Sequence, residues 1–263
     1  MYLEIIGLSL LLLVLWVYLE YGTRYIGKEN RHRHFAEFFK HFHILYNEKT
    51  GPLKKKLFQP LHKLESNFPD LKKNKGIRVL EIGAGSGANM EFYPENTKLI
   101  VVDPNPFFRQ HLESNLRKFP GVELERCVVT GAEYMKDIPD HSVDAVVSTL
   151  VLCSAPDLEG AYKEIQRVLV PGGKFYFMEH ILDPSTSFLK LIQIILGSLG
   201  IWQLLFDGCR LDKNIKKTLE KGGFAQVDVT NFRLNLDGGV PLAYSVLYLA
   251  KPHIYGTATT TTT

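Results

Sequence analysis

The chain has 263 residues, 45% of them hydrophobic and 22% charged, with a formal net charge of +3. That is the composition of a globular domain, and so small a charge with no Arg/Lys stripe interleaved with aromatics excludes an ordinary nucleic-acid surface. Three cysteines, with no C-x-x-C pair and no Cys/His cluster of zinc-finger spacing, exclude a disulfide framework and a sequence-local zinc site.

Residues 5–19 read IIGLSLLLLVLWVYL, an apolar run without charge; Trp16, Tyr18, Tyr21 and Tyr25 crowd its C-terminal end, and Arg24, Lys28, Arg31 and Arg33 lie downstream. It lacks a basic leader and a small-x-small cleavage site, so residues 1–23 read as a retained membrane anchor with the body of the protein on the cytosolic side. The length leaves a spanning helix and a monotopic one both open. Residues 24–75 are basic, aromatic and polar. They predict one or two amphipathic helices, packed over the catalytic site or along a membrane surface, as a connector.

From residue 77 strands and helices alternate. Strands are expected at 77–82, 98–102, 122–129, 143–148 and 174–178. Helices are expected at 89–93, 106–118, 158–170 and 214–221. Two closing strands are expected at 226–234 and 243–250, joined by a turn at Asp237-Gly238-Gly239. Repeated βα units imply a doubly wound, Rossmann-like α/β sheet with an antiparallel edge hairpin, over residues 76–252. The tail, 253–263, ends in TATTTTT and reads as disordered. Residues 188–206 (FLKLIQIILGSLGIWQLLF) fit either an interfacial helix or a buried one.

The chemistry starts at the end of the first strand, in Glu81-Ile82-Gly83-Ala84-Gly85-Ser86-Gly87. Glycines after a strand let the backbone turn sharply and approach a ligand closely. The G-x-G-x-G spacing, with Glu81 two residues earlier, fits an S-adenosylmethionine site; a pyrophosphate would be repelled by that carboxylate. Asp103, ending the second strand and followed by Pro104 and Asn105, is placed to accept from ribose hydroxyls. Ala132 and Glu133, after the third strand, are candidates for the adenine edge, with a helix-start carboxylate as the alternative. Thr149 and Leu150, leaving the fourth strand, should line the methionine end. Cys153 reads as a small buried residue rather than a nucleophile.

The stretches LEIGAGSGANMEFYP, VVDPNPFF, TLVLCS, RVLVPGGKFYFMEH and FDGC resemble the membrane-associated thiol S-methyltransferases, the methyltransferase-like seven family. The resemblance covers most of residues 77–212. It implies a class I S-adenosylmethionine-dependent methyltransferase acting on small alkyl thiols, hydrogen sulfide included, at the cytosolic face of the endoplasmic reticulum membrane and on lipid droplets. Ala84 stands where this family often has cysteine, and the chain after Asp212 matches poorly, which leaves the acceptor the least constrained feature. Methyl transfer needs alignment and water exclusion rather than an enzyme nucleophile, and a base to make thiolate. The candidates are His180, with a structural histidine paired to Glu179 as the alternative, and Asp207 in FDGC. Methylation of oxygen or carbon on a lipid, quinone or sterol is the rival activity; a non-enzymatic lipid-droplet adaptor and a hydride-transfer enzyme are more distant readings.

Overall fold

A computed structural model describes residues 27–236 and 247–262. The anchor at residues 1–23, the turn at Asp237-Gly238-Gly239 and residues 243–246 lie outside these. Among the described residues, no helix is long and apolar enough to cross a membrane.

The connector is one 31-residue helix, α1 (Lys28–Phe58), and a short α2 (Pro69–Lys73). Tyr46, Thr50, Lys54, Leu57 and Phe58 recur at helical spacing and are buried, so one face of α1 belongs to the core. Then follow β1 (Ile77–Ile82), β2 (Thr97–Val102), α3 (Phe108–Leu116), β3 (Val122–Val128), β4 (Val143–Thr149), α4 (Leu158–Val168), β5 (Leu169–His180), α5 (Phe188–Ser198), α6 (Ile201–Leu205), α7 (Ile215–Glu220), β6 (Gln226–Arg233) and β7 (Pro252–Thr259).

The seven strands lie in the order β3-β2-β1-β4-β5-β7-β6. The first five are mutually parallel, and β7 runs antiparallel between β5 and β6. Alternate residues feed two cores. Val79, Leu99, Val147 and Tyr176 pack toward α1 and Leu112 of α3. Leu80, Val146, Phe175 and Phe177 pack with Ile165 of α4 and Leu219 of α7. Strand order reverses between β1 and β4, which opens a crevice at their carboxyl ends, where sheets of this kind bind ligands.

Four expectations need correction. The last strand is β7, inside the stretch 253–263 taken for a disordered tail, whereas residues 247–249 of the expected strand are helical. The tail's threonines are β-branched, and Ile254 and Ala258 are buried on one face, so low complexity there coexists with strand preference. The domain therefore extends past residue 252. The helix expected at 89–93 is a 3-10 turn, Met90–Phe92, because Pro94 leaves no room for a further turn. Strand β5 begins at Leu169, not Lys174: Pro171-Gly172 is accommodated by a register shift opposite β4, with Gly172 at φ 72°. The run 188–206 is two helices, broken at Gly200, whose φ is also 72°.

Candidate active site

The turn after β1 is built on positive φ. Gly83 has φ 62°, and a Cβ there would lie 2.3 Å from a Val151 methyl, so only glycine lets β1 meet the loop leaving β4. Asp103, ending β2, spends its carboxylate on this turn: Oδ2 accepts from the Gly85 amide (3.1 Å) and Oδ1 from the Asn105 amide (2.9 Å). Burial pushes its pKa up to about 7 against those two donors, and the charges of Asp207 and Glu81 add to the rise.

Glu81 lies beneath the turn rather than in the crevice. It accepts from Asn89 Nδ2 (2.8 Å) and Tyr93 Oη (2.6 Å). Bracing the loop is the role that this geometry displays. Burial raises its pKa, and the Asn89 and Tyr93 hydrogen bonds and the Lys54 charge oppose the rise. Asn89 also donates to Thr149 Oγ1 (3.0 Å), so Glu81, the glycine turn and the end of β4 form one network.

Helix α1 closes over this crevice. Asn47 donates to the Ala88 carbonyl (2.7 Å), His43 Nδ1 meets Ser86 Oγ (2.8 Å), and Lys54 donates to Asn89 Oδ1 (2.8 Å). Its aromatic residues Phe35, Phe38, Phe39, Phe42 and Tyr46 form a ladder of ring contacts at i, i+3 and i+4. The ladder reaches Phe108 from the DPNPFF stretch and Phe206 from FDGC. Sequence reasoning missed it, although the phenylalanine spacing was visible.

Two adjoining cavities result. The larger, about 790 Å³, is lined by Pro104, Gly131, Ala132, Glu133 and Asp207 together with the first turns of α1 and residues 203–205. Glu133, one of the lining residues, has an Oε2 that is buried without a partner. The smaller, about 130 Å³, is lined by Gly83, Gly85, Asp103, Thr149, Leu150, His180 and Asp207, walled by the aromatic ladder. The expected residues thus converge, except that Glu81, Ala84, Gly87 and Asn105 stand behind the lining. Leu150 adopts φ 59°, strained for a branched residue, at the point where β4 enters the site.

The two expected bases differ. Asp207 accepts from Asn105 Nδ2 (3.0 Å) and pairs with His32 Nε2 (3.2 Å), so it ties α1 to the turn after β2. His180, ending β5, has no bond to Glu179; the latter accepts from Ser148 Oγ (2.9 Å) and the amides of Val151 and Leu152 (both 3.1 Å). Successive strand residues face opposite ways, which is why the expected pair does not form. His180 Nε2 instead meets Cys209 Sγ at 3.0 Å, and its Nδ1 is buried without a partner. Burial alone would lower the imidazole pKa, but Cys153 and Glu179 overcome it and the net direction is upward.

The chain matches the model of the methyltransferase domain family over residues 80–177. It is 37% identical to the human thiol S-methyltransferase TMT1A over 85% of both chains, and 37% identical to rat thiol S-methyltransferase TMT1B over 72% of this chain and 77% of that one. Among solved structures it is similar in fold to the cyclase SpnF, with a TM-score of 0.56 and 15% identity over 80% of each chain. By fold, crevice and this likeness over most of its length, the chain belongs to the thiol S-methyltransferase family.

Proposed function

We propose that the protein transfers the methyl group of S-adenosylmethionine to the sulfur of small alkyl thiols, hydrogen sulfide among them. The likeness to thiol S-methyltransferases over most of both chains carries the reading. In it Gly83, Ala84, Gly85 and Gly87 shape the turn that receives the cofactor, with Glu81 and Asn105 bracing it. Asp103, beside Pro104, takes the ribose hydroxyls. Ala132 and Glu133 take the adenine, and the unpartnered Glu133 oxygen supports this, since an exocyclic amine would satisfy it. Thr149 and Leu150 flank the methionine end.

The acceptor then sits at the His180 and Cys209 end of the smaller cavity, beside the methionine end of the cofactor. The cavity's aromatic walls suit an apolar tail and exclude water, which strengthens the electrostatics of a sulfonium and a thiolate. In-line attack needs a thiolate at the methyl group. Of the two expected catalytic residues, His180 has a free ring nitrogen at this cavity, whereas both Asp207 oxygens are engaged.

A membrane is the proposed setting, at the cytosolic face of the endoplasmic reticulum or a lipid droplet. Beyond the apolar residues 5–19, α5 supports it: Phe188, Leu191 and Ile195, with Leu199 at its C-cap, are exposed, a face with a cost in water that an acyl boundary would remove.

The test is a methyl-transfer assay with the full chain, offering a small alkyl thiol, hydrogen sulfide, a sterol and a phenol. S-adenosylhomocysteine should form in equal amounts with methyl thioether from the alkyl thiol and with methanethiol from hydrogen sulfide. Failure to retain S-adenosylmethionine in calorimetry, or transfer to the sterol or phenol alone, overturns the reading.

A further inference from the structure

Sequence spacing hides a cluster that the fold assembles. Cys153 follows β4, His180 ends β5 and Cys209 follows α6, and their Sγ, ring nitrogen and Sγ all lie within 4.8 Å of one another. All three side chains are buried, and both cysteines are free. The Arg210 amide donates to the Cys153 carbonyl at 3.1 Å, which fixes one cysteine loop on the other. Trp202 Nε1, which can act only as a donor, lies 3.3 Å from Cys209 Sγ, so this sulfur is an acceptor and its position is fixed.

We propose that Cys153, His180 and Cys209 form a three-ligand site for a thiophilic divalent cation of the zinc type, with its fourth position open to the acceptor. The donor set is soft and mixed N/S, which favours such a cation over magnesium or calcium. Zinc bond lengths of about 2.3 Å to sulfur and about 2.0 Å to nitrogen put tetrahedral ligand atoms roughly 3.5–3.8 Å apart. Binding the ion therefore needs shifts of about 1 Å, with His180 Nε2 and Cys209 Sγ opening from 3.0 Å and the wider pairs contracting. Three protein ligands and one open position is the pattern of a catalytic rather than a structural site. The open side exists: the cluster borders the smaller cavity. A second observation points the same way. Tyr46 Oη, His180 Nδ1 and His253 Nε2, all in residues lining that cavity, are buried without partners, as expected where a polar group is to be received.

The inference rests on the thiol reading and names how the thiolate arises. Coordination of R–SH breaks its S–H bond and the proton leaves to solvent. The sulfur lone pair forms the new S–CH₃ bond, the sulfonium C–S bond breaks, and its electron pair stays on the sulfur of S-adenosylhomocysteine. A divalent ion with two cysteinyl thiolates, a neutral imidazole and the acceptor thiolate carries a net charge of −1, opposite to the sulfonium. His180 is then a ligand, not the base.

The probe is Co²⁺, titrated into metal-free, untagged full-length protein and followed by thiolate-to-cobalt charge-transfer absorption. One ion per chain should bind, and a small alkyl thiol should shift the visible cobalt bands. Cys153→Ser and Cys209→Ser should each weaken binding at least tenfold and roughly halve the charge-transfer intensity, with unchanged S-adenosylmethionine binding reporting an intact fold. Absence of saturable Co²⁺ binding by the wild type overturns the site, as do undiminished binding by both serine variants and full-rate thiol methylation by metal-stripped protein. A protein that binds Co²⁺ through these residues yet methylates no thiol keeps the site and loses the thiol reading.

Discussion

Lys54 Nζ, projecting from the last third of helix α1, donates to Asn89 Oδ1 at 2.8 Å, behind the glycine turn. It donates equally to Asn47 Oδ1 (2.8 Å) and is buried. Burial lowers its pKa to about 8 despite the carboxylates of Glu81 and Glu91. A segment outside the methyltransferase family match therefore holds the floor of the cofactor crevice.

Replacing this lysine tests the link. Lys54→Met removes the donor for two amide oxygens and should cost about 1–3 kcal/mol in denaturant unfolding, with weaker S-adenosylmethionine binding. The pH dependence has a definite sign. A lysine whose folded pKa lies below its unfolded value of 10.5 is bound to fewer protons in the native state between the two. Wild-type stability relative to Lys54→Met should therefore rise from about pH 8 to about pH 10.5, by up to roughly 3 kcal/mol. A flat difference across that window would show that Lys54 is not buried as described.

Asp103 behaves in the opposite sense. Its folded pKa, about 7, lies above its ordinary 3.8, so the ligand-free protein holds an extra proton between those values and loses stability as pH rises through them. Ribose hydroxyls donate to the ionised form, so the affinity for S-adenosylmethionine should increase as pH rises through about 7. Asp103→Ala should weaken binding by roughly 10- to 100-fold, the worth of hydrogen bonds to a charged group. Unchanged binding of the variant in calorimetry removes Asp103 from the cofactor site.

Gly83→Ala probes the turn itself. The added Cβ meets Val151 at 2.3 Å and sits on a φ of 62°. Backbone strain alone costs about 1–3 kcal/mol, and relief of the clash would push the β4 loop away from β1. Thermal unfolding should fall, and cofactor binding should be lost even where the fold survives.

His180→Ala separates chemistry from binding. Turnover with a small thiol should fall by about 10²–10⁴-fold, the range for loss of a group that generates the nucleophile, while S-adenosylmethionine affinity stays the same. Wild-type turnover by the variant would assign His180 to packing alone.

For α5, Leu191→Glu combined with Ile195→Glu should reduce flotation with anionic vesicles and leave the unfolding midpoint nearly unchanged, because both side chains are exposed. Equal flotation of wild type and variant leaves residues 5–19 as the membrane contact without α5.

The βα order, the glycine turn, Asp103 at the end of β2 and the edge position of the antiparallel pair were all legible in the amino-acid string. These are local: a strand followed by a turn needing positive φ is written in consecutive residues. The same string misplaced β7, since threonine repetition reads as low complexity until a strand partner is supplied by β5. Three features emerge from the folded chain alone: the aromatic face of α1 covers the crevice, Asp207 is spent on His32 and Asn105, and Cys153, His180 and Cys209 meet. The last three residues lie on separate segments, 27 and 29 positions apart. Parallel strands ending at one edge of a sheet bring such loops together, and no linear spacing encodes that meeting.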